Sequence, residues 1–144
     1  MDEINSKKVI ITYWLEMAEQ SLQSAASELE SGRYHFAVNR LYYAYFYSAS
    51  AVLLQSGHRF TKHSGVRGAL HSHLVKTGKL DKEWGKFFDI VFENRQRGDY
   101  TEFITFEKEQ VRYLLEKSKS FVQELQRLLG ANIQEEDDRI NTSV

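Results

Sequence analysis

The sequence predicts an all-α fold, an up-and-down helical bundle of four long helices plus one short helix. Three observations carry that expectation. Apolar residues return with a period near 3.6 along most of the chain. The 144 residues contain no proline, so nothing forces a helix to kink or end, and the eight glycines fall mostly between periodic segments. No run alternates apolar and polar residues between turn signals, as a half-buried strand would.

The first helix is expected from Asn5 to Glu30, with Ile11, Trp14, Leu15, Ala18, Leu22, Ala25, Ala26 and Leu29 on one stripe and Gly32 at its stop. The second is expected from Arg33 to Gln55, closed by Gly57. It is apolar almost all round: Tyr34, Ala37, Val38, Leu41, Tyr45, Ala49 and Val52 on one face, and Phe36, Tyr43, Phe46, Ser50, Leu53 and Leu54 on the other. Such a helix is buried on most sides, inside the bundle or at an oligomer interface. The short third helix spans Lys62 to Thr77, with Val66, Leu70 and Leu74 inward and Gly78 after it. Asp81 is the expected N-cap of the fourth, Lys82 to Gly98, whose inner stripe is Trp84, Phe87, Phe88, Val91 and Arg95. Residues Thr101 to Ile104 connect it to the fifth, Phe106 to Leu129, with Gly130 at its stop. Residues 1–131 are thus expected to form the bundle, and residues 132–144, with consecutive acids from Glu135 to Asp138, a disordered tail.

Composition narrows the function. The absence of cysteine excludes disulfides and thiolate metal sites. No apolar run approaches membrane-spanning length, and Met1 to Asn5 lack the basic region and apolar run of a signal peptide, so a cytoplasmic protein without membrane association is expected. The net charge of −1 hides an uneven distribution. From Ser31 to Leu80 there is no Asp or Glu, while Arg33, Arg40, Arg59, Lys62, Arg67, Lys76, Lys79 and all five histidines fall there. Either oppositely charged helices pack together and neutralise one another, or this stretch forms a basic surface for a phosphate-bearing partner.

Arg95 continues a buried stripe, and a charge there needs a partner or a task because an unpaired buried charge is costly. Asp99, one turn on, is the local partner, so the pair is either an internal tie or part of a site. Arg40 is a second cation in an apolar setting, beside Tyr42, Tyr43, Tyr45 and Tyr47. Tyrosines beside arginines can stack bases and hold phosphates, although an aromatic-rich helix is more often plain core. His63, Arg67 and His71 follow at intervals of four and read as a solvated basic flank, with His73 pointing elsewhere. No carboxylate in that segment completes a metal site, so neither metal nor cofactor is expected.

Four blocks then carry a resemblance. Asn39-Arg40-Leu41-Tyr42-Tyr43-Ala44-Tyr45-Phe46 resembles the Arg-x-Tyr-Tyr-Ala-x-Phe signature of HEPN domains. Lys62-His63-Ser64-Gly65-Val66, Val75-Lys76-Thr77-Gly78-Lys79-Leu80-Asp81 and Arg95-Gln96-Arg97-Gly98-Asp99-Tyr100 are similar to further blocks of that family, in the same order. The resemblance is closest to small stand-alone prokaryotic HEPN proteins with an Arg-x-x-x-Asp-Tyr ending to the fourth helix. It implies a helical bundle that commonly dimerises. Many HEPN domains are metal-independent RNases that use an Arg and a His a few residues apart, and several are toxins encoded beside a minimal nucleotidyltransferase that acts as antitoxin. Others bind nucleotides or RNA without cleaving. Here Arg95 matches the motif arginine, but Tyr100, Thr101 and Glu102 occupy the window where the histidine belongs.

The expectation is a nucleotide- or RNA-binding, toxin–antitoxin-associated protein, a homodimer partnered with a minimal nucleotidyltransferase. Arg40, Tyr43, His63, Arg95, Asp99 and Tyr100 are its candidate binding residues. One alternative is a divergent RNase toxin using Arg95, with Tyr100 as the weaker catalytic candidate; another is a purely structural helical dimer. His63, His71 and His73 are the imidazoles that a different helix could supply in place of the missing one.

Overall fold

The computed structural model describes the backbone of residues 3–60, 62–100 and 105–142, and the side chains of residues 5–60, 62–96 and 105–130. The helices are α1 (Glu3–Glu30), α2 (Tyr34–Gln55), α3 (His63–Ala69), α4 (Lys82–Tyr100) and α5 (Lys108–Thr142), with a π-helical segment, Leu70–Val75, continuing α3. Among the described residues there is no strand. The architecture is the helical bundle that the apolar periodicity predicts.

Helix α2 lies at the centre, against α1 along its length and against α3, the π-helical segment, α4 and α5 elsewhere. Its sequence explains this, since Ala37, Val38, Leu41, Tyr42, Ala44, Tyr45, Ala49, Val52 and Leu53 are all buried and point to several sides. The densest packing surrounds Tyr45. Its ring centroid lies 4.6 Å from Phe121 of α5, and 5.5 and 5.9 Å from Phe87 and Phe88 of α4. Its hydroxyl is 2.8 Å from Ser118 Oγ. Ser118 has a single hydroxyl hydrogen and gives it to the Leu114 carbonyl, so Tyr45 is the donor between the two. Burial holds the Tyr45 hydroxyl protonated, well above its ordinary range.

The ends of α1 and α2 follow from two glycines. Gly32 and Gly57 have φ of +78° and +91°, where an L side chain is strained. Arg33 N–H reaches the Glu28 carbonyl at 2.9 Å, and His58 N–H reaches that of Leu53 at 2.9 Å, so each turn satisfies carbonyls that its helix leaves open. Asp81 caps α4 as expected, its Oδ1 accepting the Glu83 N–H at 2.9 Å.

Two expectations need correction. The third helix is α-helical only to Ala69; Lys76 N–H then bonds back five residues to the His71 carbonyl, and the wider turn puts later residues out of phase with α3. Gly98 and Gly130 do not stop their helices, since α4 runs on to Tyr100 and α5 through the acidic stretch to Thr142. Glycine in a helix interior costs about 1 kcal/mol against alanine, which a helix without proline tolerates. Helix α2 is buried on most sides, as expected, and keeps one stripe in solvent: Phe36 is 59% exposed and Arg40 is exposed.

The aromatic centre sets the stability. Phe121 is fully buried against Tyr45, Trp84 and Phe88. Phe121→Ala should lower the unfolding free energy by about 3–5 kcal/mol, read by denaturant titration.

Candidate functional site

A second aromatic group lies on the α3/α4 side of α2 and is built around Tyr42, whose ring is wholly buried. Phe88 and Phe92 of α4 meet it edge-on at 6.3 and 5.7 Å. Two functional groups converge on it. The Arg95 guanidinium lies 4.8 Å from its ring centroid and 5.9 Å from that of Tyr43. The His63 imidazole lies 5.3 Å away and nearly parallel, with its other stacking contact on Phe46 at 4.3 Å. Tyr42 Oη is 2.7 Å from His63 Nδ1.

Local sequence explains the convergence. Tyr42, Tyr43 and Phe46 share a flank of α2 by helical spacing, Arg95 extends the Phe88–Val91 stripe by one turn, and His63 opens α3 immediately after the short loop that follows α2. The electrostatics follow from the packing. Burial pushes the Tyr42 hydroxyl well above the usual tyrosine range, against the opposing pull of Arg95 and Arg67. Burial first, and the nearby Arg95 cation second, hold His63 below its ordinary 6.5, which favours a neutral imidazole at pH 7. Arg95 is half-buried on the aromatic faces, a setting that strengthens a guanidinium–π contact.

The remaining expected site residues divide. His71 and Arg67 are not a solvated flank: both bond Asp89 of α4, Arg67 Nε at 2.7 Å and His71 Nε2 at 3.0 Å. Arg67 also covers the Phe92 ring at 4.5 Å and reaches Glu93 at 3.6 Å. This clasp seats α3 and the π-helical segment on α4. The approach is close, because a Cβ added at Gly85 would come within 2.9 Å of the His71 ring. His73, on a different side, stacks on His58 at 4.0 Å. Arg40 is exposed, apart from the buried Tyr42 ring. The side chains of Asp99 and Tyr100 lie outside the described residues, and so does the expected Arg95–Asp99 pair.

Sequence reasoning missed Tyr42, Phe46, Asp89 and Phe92. Tyr42 belongs to the Arg-x-Tyr-Tyr block, so the signal was present; Asp89, 18 residues from His71, carries none that periodicity could use. The acid-free stretch is partly neutralised by its neighbours, through Arg33 with Glu28 and Arg67 with Asp89. Among the described residues no group of three or more His, Cys, Asp or Glu could hold a metal ion, and no helix is long and apolar enough to cross a membrane.

Comparison with known proteins places the chain. A family model described as "HEPN domain" matches residues 11–128. A Thermotoga maritima protein named "UPF0332 protein" is 45% identical over 126 residues, which covers 88% of this chain and 96% of that one. "Putative toxin MJ0142" of Methanocaldococcus jannaschii is 36% identical over 120 residues, covering 83% and 82% of the two chains. An Archaeoglobus fulgidus "UPF0332 protein" is 28% identical over 115 residues, covering 80% and 91%.

The clasp has a defined pH signature. Burial raises the Asp89 pKa, but the hydrogen bonds and charges of His71 and Arg67 outweigh it and hold the carboxyl below its ordinary 3.8. A depressed folded-state pKa adds stability above the unfolded value and loses it as pH falls through the folded value. Asp89→Ala should therefore cost about 1–2 kcal/mol at pH 7, within the range for charge-assisted, partly screened bonds. Denaturant melts should show the difference from the parent shrinking below pH 3.8.

Proposed function

Because the chain belongs to the HEPN domain family, we propose that it is a toxin-type component that binds RNA or a nucleotide through phosphate, with Arg95 as the anion-holding group. One observation carries this reading: Arg95 lies on the faces of Tyr42 and Tyr43 with His63 stacked on the same Tyr42 ring. An arginine fork suits a phosphate, and aromatic faces beside it suit unstacked bases, the combination that single-stranded nucleic acid requires. A structural ion-pair role for Arg95 does not need the imidazole; phosphate binding uses both.

The relative named "Putative toxin MJ0142" supports the toxin side of the reading. In that setting a minimal nucleotidyltransferase is the protein partner, the protein works in the cytoplasm, and residues 1–131 carry the activity, with 132–144 as an appendage. A homodimer fits the exposed apolar groups on α1, where Val9 and Tyr13 are 67% and 55% exposed, one turn apart. Arg40, Tyr43, Asp99 and Tyr100 would then line the approach to Arg95.

The test is fluorescence anisotropy with a labelled single-stranded RNA over a series of salt concentrations. Affinity should fall linearly on a log–log plot as salt rises. Arg95→Ala should weaken binding by about tenfold or more, the value of one charge-assisted phosphate contact. Binding that ignores both salt and the Arg95 substitution would rule this reading out.

A further inference from the structure

Among the described residues, the His63 imidazole has one hydrogen-bond partner, the Tyr42 hydroxyl, 2.7 Å from Nδ1. A hydroxyl can serve both charge states of such a ring. It donates to Nδ1 of a neutral imidazole that carries its hydrogen on Nε2, and it accepts from Nδ1–H of an imidazolium. Burial holds the Tyr42 hydroxyl protonated, so it has a hydrogen to give in the first state. We propose that phosphate binding at Arg95 loads a proton onto Nδ1 of His63 while the Tyr42 hydroxyl reverses from donor to acceptor, which makes this a proton-coupled anion site with the imidazolium as its second holding group. The inference rests on the phosphate-binding reading of Arg95 and deepens it, by stating how that same site is regulated.

The surroundings of the ring set the direction of the coupling. From α2, Tyr42 and Tyr43 face it with hydroxyl-bearing rings, and Phe46 stacks on it at 4.3 Å. From α4, the facing charge is the Arg95 cation. On its own segment, Lys62 precedes it in the chain and Arg67 follows one turn on. Arg67 is bonded to Asp89 and Glu93, so those two α4 carboxylates are engaged there. After burial, Arg95 is thus the cause that lowers the basicity of His63, and the free protein favours a neutral ring near pH 7. A phosphodiester at Arg95 offsets that cation and sets a negative charge beside the ring. Both changes favour the imidazolium. The Phe46 face favours it too, because an aromatic face attracts a cation.

The step balances without a co-reactant. One solvent proton bonds to Nδ1, and the Tyr42 hydroxyl turns its hydrogen away to receive the new N–H. The Nε2–H is present before and after, and it is the donor that meets a phosphate oxygen. Tyr42 is thus a positioning residue that keeps the ring in place through the change of charge. Because the complex binds the proton more tightly than the free protein does, affinity for RNA must rise as pH falls through the interval between the two proton affinities, and level off on either side. An internal phosphodiester keeps its single charge across that interval, so the dependence belongs to the protein.

The test uses the full chain and a labelled single-stranded RNA without terminal phosphates, at fixed ionic strength. Anisotropy titrations from about pH 8 down to about pH 5 should show affinity rising by about tenfold, a coupling that linkage makes reciprocal between RNA and proton. Calorimetry of the same binding in two buffers of different ionisation enthalpy should show uptake of a fraction of one proton. This readout on the parent needs no variant, so a variant that fails to fold cannot hide the answer. His63→Gln can bond Tyr42 but does not titrate; it should bind more weakly than the parent at the low-pH end and lose both the pH dependence and the uptake. The variant retains His35, His58, His71 and His73, so the loss assigns the proton to His63. Tyr42→Phe, which removes the acceptor for Nδ1–H, should shrink the uptake. A parent that binds RNA without proton uptake and with unchanged affinity over this range, or a His63→Gln variant that keeps the parent's uptake, would overturn the proposal and leave phosphate binding standing. Absence of RNA binding by the parent would remove both.

Discussion

The constraint on which the rest of the structure depends is the burial of α2 on most of its surface. In a helix enclosed by five other segments, a buried hydroxyl that finds no partner costs free energy, so the large polar side chains of α2 are placed where partners wait inside. Tyr45 meets this demand through Ser118 of α5, and Tyr42 meets it through His63 of α3. These two hydroxyls therefore fix which helices flank α2. The first closes the hydrophobic centre. The second brings a titratable imidazole to the rim of that centre.

The Tyr42 ring links packing to chemistry. One set of its neighbours, Phe88 and Phe92, belongs to the core and is held by it. The other set, Arg95 and His63, brings a cation and a titratable imidazole to the same ring. A cation and an imidazole in such proximity repel once the imidazole is protonated, so the site favours neutral His63 until an anion arrives. Phosphate between or beside them would relieve that repulsion, which couples anion binding to proton uptake. The Asp89 clasp matters here at one remove. It seats the segment that begins with His63 on the helix that carries Arg95, so that the two groups are positioned by rigid helices.

Much of the fold could be read from the sequence, because helical stripes are a property of the chain alone. The inner faces of α1, α4 and α5 match their apolar periodicity, and Gly32, Gly57 and Asp81 mark ends where local backbone chemistry decides. Gly98 and Gly130 were less legible, since glycine permits a stop without requiring one. The π-helical turn after Ala69 was not legible either: it depends on how the segment meets α4 at Gly85, a contact between distant residues. The site was half visible. Arg95 stood out as a charge on an apolar stripe, and His63 lay in a recognisable block. That they meet on one ring, while His71 and His73 turn away, depends on helix packing and on that same π-helical turn.

The claim at the centre is that Arg95 and His63 act on one another across the Tyr42 ring. The most direct measurement is an NMR pH titration of the His63 Cε1–H resonance in the parent and in Arg95→Ala. The expected result is a parent His63 that titrates below its ordinary 6.5 and moves upward when Arg95 is removed, since burial then remains as the main depressing cause. A His63 that titrates at or above 6.5 in the parent, or that is indifferent to Arg95→Ala, would contradict the shared site.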